Sequence, residues 1–175
     1  MRHTVILVCL LMVLTASVAG ADTWTSQLSV LNDTSWINVV TTATNMGDHW
    51  NWTYALTPED GATNIRGLTI TLGPTDVAVV SNVTAPTGWS GLTSGDSVYW
   101  QTPANGPNTL DAGDTFTYGF DDPWGPSLIR DASAMDEDGY SGPVHGPVAV
   151  PEPMGVVVCI TGMGSLVGFR KLRRK

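Results

Sequence analysis

Residues 50–56 read Trp50-Asn51-Trp52-Thr53-Tyr54-Ala55-Leu56, with a large apolar side chain at every even position and a smaller or polar one between. A repeat of two belongs to a β-strand, which sends successive side chains to opposite faces. One face of this segment is therefore expected to be buried and the other wet.

Outward from this stretch the same alternation recurs. Leu68, Ile70 and Leu72 are separated by Thr69 and Thr71, and Phe116, Tyr118 and Phe120 by Thr117 and Gly119. Val77, Val79 and Val83 share a parity, broken at Ser81. Trp24 to Leu31 and Trp36 to Thr44 are two further candidates, and Val98 with Trp100 marks a shorter one. Pro58-Glu59-Asp60-Gly61, Gly73-Pro74, Pro86-Thr87-Gly88, Thr93-Ser94-Gly95-Asp96 and Asp111-Ala112-Gly113-Asp114 read as turns between them. No apolar series at helical spacing runs beyond about two turns in this part of the chain. The pattern predicts an all-β fold, an antiparallel β-sandwich of about seven or eight strands. From Asp121 to Val150 the chain turns rich in Gly, Pro and Asp, which predicts loop, one late strand near Tyr140 and a spacer.

Both ends of the chain depart from this pattern. Arg2 and His3 precede an apolar run from Val5 to Leu14, and Ala19-Gly20-Ala21 supplies a small-residue exit. That order predicts a secretory signal peptide over residues 1–21, cut before Asp22. The other end reads Val150-Pro151-Glu152-Pro153, then an uncharged stretch from Met154 to Phe169, then Arg170-Lys171-Leu172-Arg173-Arg174-Lys175. As a helix, 154–169 would reach roughly 24 Å, close to a hydrocarbon core of about 30 Å. Snorkelling of Arg170 and Lys171 would make up the difference. Arg170, Lys171, Arg173, Arg174 and Lys175 favour the cytoplasmic side. The chain thus divides into a signal peptide (1–21), a β-sandwich ectodomain (22–149) and a tail (150–175) with a single transmembrane helix at 154–169 and a basic end at 170–175. The ectodomain is expected outside the cytoplasm.

The order Pro151-Glu152-Pro153, apolar helix, basic end, at the terminus of a chain with a signal peptide, resembles the PEP-CTERM sorting signal of bacterial exported proteins. The same kind of tail also goes under the name of an ice-binding protein C-terminal domain, a label for the tail alone. The resemblance covers residues 150–175. It implies recognition by an exosortase, a membrane-embedded cysteine transpeptidase, and removal of the helix after signal peptidase has acted at the other end. It also implies an inner-membrane anchored intermediate that passes to the cell surface or the extracellular matrix, with extracellular polysaccharide as the partner such systems accompany. Pro86-Thr87-Gly88-Trp89, Val98-Tyr99-Trp100 and Leu110 to Phe116 are similar in style to the bodies of other proteins with this tail, which implies a sandwich module.

Composition narrows the chemistry. Cys9 and Cys159 both lie in the expected removable ends, so the ectodomain has no thiol for a disulfide, a nucleophile or a metal. Between Asp22 and Val150 stand fifteen acidic residues against Arg66 and Arg130, a net −13 hidden within the whole-chain −8. A nucleic-acid partner needs a cationic footprint and is excluded. Asp136-Glu137-Asp138-Gly139 and Asp121-Asp122 offer oxygen ligands to calcium, yet no matching Glu completes the loop pattern, and solvated acidic loops are expected. His49 and His145 are far apart and form no zinc spacing. No Gly-x-Ser-x-Gly elbow is present, and the expectation is a non-enzymatic protein with no cofactor and no metal. Seven tryptophans remain. Trp50, Trp52 and Tyr54 share a strand face with Leu56 and are expected in the core, whereas Trp36, Trp89 and Trp124 flank turn residues and are the candidate ligand-facing aromatics of a carbohydrate-binding surface.

Overall fold

A computed structural model of the chain describes residues 20–30, 34–59, 61–62, 64–103, 108–135 and 139–148. The expected sorting tail and all but the last two residues of the expected signal peptide lie outside them. Among the described residues no helix is long and apolar enough to cross a membrane.

The strands are β1 (Ala21–Ser29), β2 (Trp36–Asn45), β3 (Trp50–Pro58), β4 (Gly67–Thr71), β5 (Ser81–Thr84), β6 (Ser90–Ser94), β7 (Ser97–Gln101), β8 (Phe116–Asp122), β9 (Pro126–Met135) and β10 (Tyr140–Pro147). Among the described residues one short helix, α1 (Pro74–Val77), interrupts them. The strands make a single antiparallel sheet in the order β5-β8-β3-β2-β1-β10-β9-β4-β7-β6. The all-β, antiparallel expectation therefore holds. The expectation of seven or eight strands in two separate sheets does not: ten strands form one sheet, which curls until its edges β5 and β6 come together.

Three local corrections separate the expected elements from the observed ones, and the second and third add the extra strands. The Val77–Val83 alternation splits into α1 and β5, because Gly73 at φ 98° turns the chain and Pro74 starts a helical turn. β6 is a polar edge strand with no apolar alternation to betray it. The Gly/Pro/Asp-rich stretch predicts loop at β9, yet β9 forms a long hairpin with β10, Tyr140 opposite Ala134 and Val144 opposite Arg130. Its inward positions are Arg130, Ala132 and Ala134, a set that does not look apolar.

Alternation does what it predicts elsewhere. Trp52, Tyr54, Leu56 and Pro58 are buried, whereas Asn51, Thr53, Ala55 and Thr57 between them are less so. Across the sheet Trp52 lies opposite Ala43 on one side and Phe120 on the other, and Tyr54 opposite Thr41 and Tyr118. In the other half Leu68 pairs with Trp100 and Ala134, and Ile70 with Val98 and Ala132. The two halves meet ring against ring: Trp100 lies 5.7 Å from Tyr118 and 6.3 Å from Phe120 between centroids. Such pairs add to the burial of large apolar area, the main favourable term in folding.

Two seams join the halves. At the first, β1 and β10 share the one register pair Ser29–Ser141. Beside it Gly142 approaches so closely that a Cβ would stand 2.5 Å from the Gln27 carbonyl oxygen. At the second, β5 meets β6 without a ladder. The Trp100 indole crosses the gap instead, donating from Nε1 to the Thr84 carbonyl at 2.8 Å. Gly91 makes room for that ring, since a Cβ there would meet Trp100 Cδ1 at 2.6 Å and Val83 Cγ1 at 2.5 Å.

Strand directions place both ends of the described domain on one end of the barrel. β1 starts there at Ala21, opposite Thr44, and β10 finishes there at Pro147, opposite Pro126. Asn45 N donates to Gly20 O, and Val148 N to Gly125 O, which ties the first described residue to β2 and the last to the loop between β8 and β9. We call this the terminal end, and the opposite one, bearing Trp36 and Trp89, the distal end.

Candidate functional site

Inside the terminal end lies a buried ionic cluster. β9 directs Arg130 inward, where its guanidinium pairs with Asp76 of α1 and donates to the Pro147 carbonyl oxygen from Nε at 3.0 Å and from Nη2. Asp122 of β8 is fully buried; its Oδ1 accepts from Trp124 N at 2.7 Å, and among the described residues its Oδ2 has no hydrogen-bond partner. Tyr54 donates to the His145 carbonyl at 3.1 Å, and Trp52 Nε1 to the Trp124 carbonyl at 3.4 Å. α1 thus acts as a plug whose acid, Asp76, meets Arg130, the one arginine among the described residues that reaches the interior. Both carboxylates are under a tenth exposed, so this pair of acids does not open to a sugar as glycoside hydrolysis would require.

Burial raises the Asp122 carboxyl from 3.8 to about 6, Asp76 adding to the rise, while the Trp124 amide and Arg130 oppose it. Burial also pushes the Tyr54 phenol upward, with Asp122 adding and Arg130 opposing. A carboxyl whose folded value is raised favours the folded state below its unfolded value, and that contribution is lost as pH climbs through the folded one. Asp122→Asn is therefore expected to have a higher Tm than the parent at about pH 8, with the gap closing by about pH 4. Thermal melts across that range test it. A gap independent of pH would place the effect outside this ionisation.

The three candidate aromatics do not come together. Trp36 opens β2 on the outer wall of the distal end and is 40% exposed. Trp89 corrects the expectation, being only 7% exposed. Its indole Nε1 donates to the Asn108 carbonyl at 2.7 Å, and its ring stands edge-on to Tyr118 at 5.2 Å and Phe116 at 6.2 Å. The turn Pro86-Thr87-Gly88 is where the sequence predicts it, but it folds the following ring back into the core. Trp124 sits at the terminal end, half-buried in the loop over Asp122.

Trp36 has polar company. Gln27 Nε2 donates to Asn38 Oδ1 at 3.2 Å and Asn38 Nδ2 to Glu59 Oε1 at 2.5 Å, a chain of planar groups running across β1 and β2 to the start of the next loop. From there the outer wall of β1, β2, β3 and β8 continues as rows of uncharged residues. Gln27, Asn38 and Thr57 lie side by side, then Thr25, Val40, Ala55 and Thr117, then Thr23, Thr42 and Thr53. The charged residue among the outward positions of these four strands is Asp121, at the terminal corner, where its oxygens accept from Asn51 Nδ2 at 2.8 Å and Asn82 Nδ2 at 2.7 Å. Sequence reading missed this wall because neighbours in each row lie 11 to 62 positions apart in the chain. On the other half, Arg66, Ser90, Gln101, Thr102 and Met135 line a groove of about 440 Å³ at the distal end.

His49 and His145 stay apart in the fold. His49 bonds Asp48 at 2.6 Å, which holds the Asp48 carboxyl below its usual value, and reaches Asp121 at 3.6 Å. The His145 ring stacks on Trp24 at 4.7 Å, and Trp24 in turn faces Trp52. Among the described residues no group of three His, Cys, Asp or Glu is placed to hold a metal ion. Residues 136–138 of the acidic loop lie outside the described residues. Compared with known proteins, the chain matches no family model, no curated protein and no solved structure.

Proposed function

We propose that this chain is an exported, non-enzymatic envelope or extracellular-matrix protein, held at the inner membrane by its C-terminal helix and then released to the cell surface by an exosortase. The observation that carries the reading is the order Pro151-Glu152-Pro153, uncharged stretch, basic end. Placement of Ala21 and Pro147 at one end of the barrel supports it, because a tether there leaves the walls and distal loops free. The acidic body supports it too, since a net −13 keeps a released domain soluble and away from anionic lipid. Intact mass of the protein recovered from its native cells is the test. A product that starts at Asp22 and ends near Pro151 is expected; one that ends at Lys175 would replace sorting with a lasting anchor, and an uncut start would remove export by signal peptidase.

A second reading, a carbohydrate-binding module for extracellular polysaccharide, is favoured by Trp36. An exposed indole beside the Gln27–Asn38–Glu59 chain combines a face for stacking with planar hydrogen-bonding groups, the two elements that hold a sugar ring.

A further inference from the structure

We infer that the outer wall of β1, β2, β3 and β8, starting from Trp36, is a docking face for an uncharged polysaccharide; this deepens the carbohydrate reading by naming the polymer class and the face. The charge layout carries it. Among the outward positions of these four strands the one charge is Asp121 at the terminal corner, and Glu59, bonded to Asn38, borders the wall at its distal margin. Anionic glycans, nucleic acids and anionic lipid are repelled by the whole. A neutral polymer rich in hydroxyls meets matching donors and acceptors along the rows between these two acids, where it strips water from no ion.

The size of the wall decides against a second copy of the chain. Four strands at about 4.8 Å spacing and about nine residues of 3.3 Å give roughly 15 by 30 Å, near 450 Å². A stable protein interface takes about 800 Å² from each partner. A small face of this kind suits a long repeating ligand that many copies occupy together. Along β2 the outward residues Trp36, Asn38, Val40, Thr42 and Thr44 repeat about every 6.7 Å, so the wall presents a straight track that begins at the indole.

The test uses the full-length chain in detergent micelles, run by affinity electrophoresis through gels containing an uncharged β-glucan, an uncharged galactomannan or the anionic polygalacturonate. Retardation by at least one uncharged polymer and none by polygalacturonate is expected. Trp36→Ala should weaken it by about tenfold. Thr42→Arg, which raises a long side chain over the flat wall at a solvent-facing position, should abolish it. Tyr99→Ala, on the opposite wall, should leave it unchanged, and circular dichroism of each variant separates lost binding from lost folding. Retardation that survives both wall substitutions in folded protein overturns the face while keeping the carbohydrate reading. Retardation by polygalacturonate overturns the polymer class, and none by any of the three overturns both.

Discussion

Arg130→Ala is expected to cost about 3–5 kcal/mol of folding stability, read as a fall in the midpoint of a urea titration. The guanidinium is the only cation the described interior contains, and it faces Asp76 while lying near enough to Asp122 to lower its pKa. Truncating it leaves a buried carboxylate on α1 without its counter-charge and the Pro147 carbonyl without its donor. The double variant Arg130→Met with Asp76→Leu is expected to recover most of the loss, because exchanging a buried pair for apolar groups of similar volume is far milder than breaking it. Tm of the single variant should recover in part as pH falls through about 6, where the Asp122 carboxyl, raised by burial and no longer opposed by Arg130, takes up a proton. An Arg130→Ala protein as stable as the parent would mean that α1 is held by other contacts and that the plug is incidental.

Trp100→Ala is expected to cost about 3–5 kcal/mol. This indole is essentially buried, packs on Tyr118 and Phe120 of the facing half, and spans the seam where β5 and β6 have no ladder. Its removal takes away both the filling of the core and the bond that closes the barrel. Trp100→Phe separates the two: it keeps most of the ring and loses the Nε1 bond to Thr84, so a smaller loss of about 1–2 kcal/mol is expected. Hydrogen exchange of β5 and β6 amides should rise in Trp100→Phe before that of β3 or β8. Equal costs for Ala and Phe would show that the bond, not the burial, dominates. A negligible cost for both would refute closure by this side chain.

How much of this was legible beforehand varied with the element. Strands with apolar residues at alternate positions, such as 50–56 and 116–120, announce themselves, because burial of one face is the physical reason for their composition. β9 stayed hidden since its inward face carries Arg130, Ala132 and Ala134, a charge and two small residues whose value appears only when Asp76 and the large rings opposite are in place. Val77 misled because three valines of one parity satisfy a strand pattern even where Gly73-Pro74 bends the backbone into a helical turn. Trp36 was correctly read as exposed, whereas Trp89 was not, as the direction in which a turn returns its flanking ring is set by what it finds to pack on. The uncharged wall needs the register: Thr23, Thr42 and Thr53 belong to one row only after three strands have paired.

Adjacent placement of β1 and β10, with Ala21 and Pro147 at the same end, has a bearing on chain order itself. Nothing in the sheet depends on which of these strands comes first, so a short linker from Val148 back to Ala21 would turn the outermost strands into one more hairpin. New termini could then be opened in the exposed turn at Ala112-Gly113, at the distal end. A circular permutant of that kind should keep the barrel, since compact domains whose ends lie close together tolerate such rewiring.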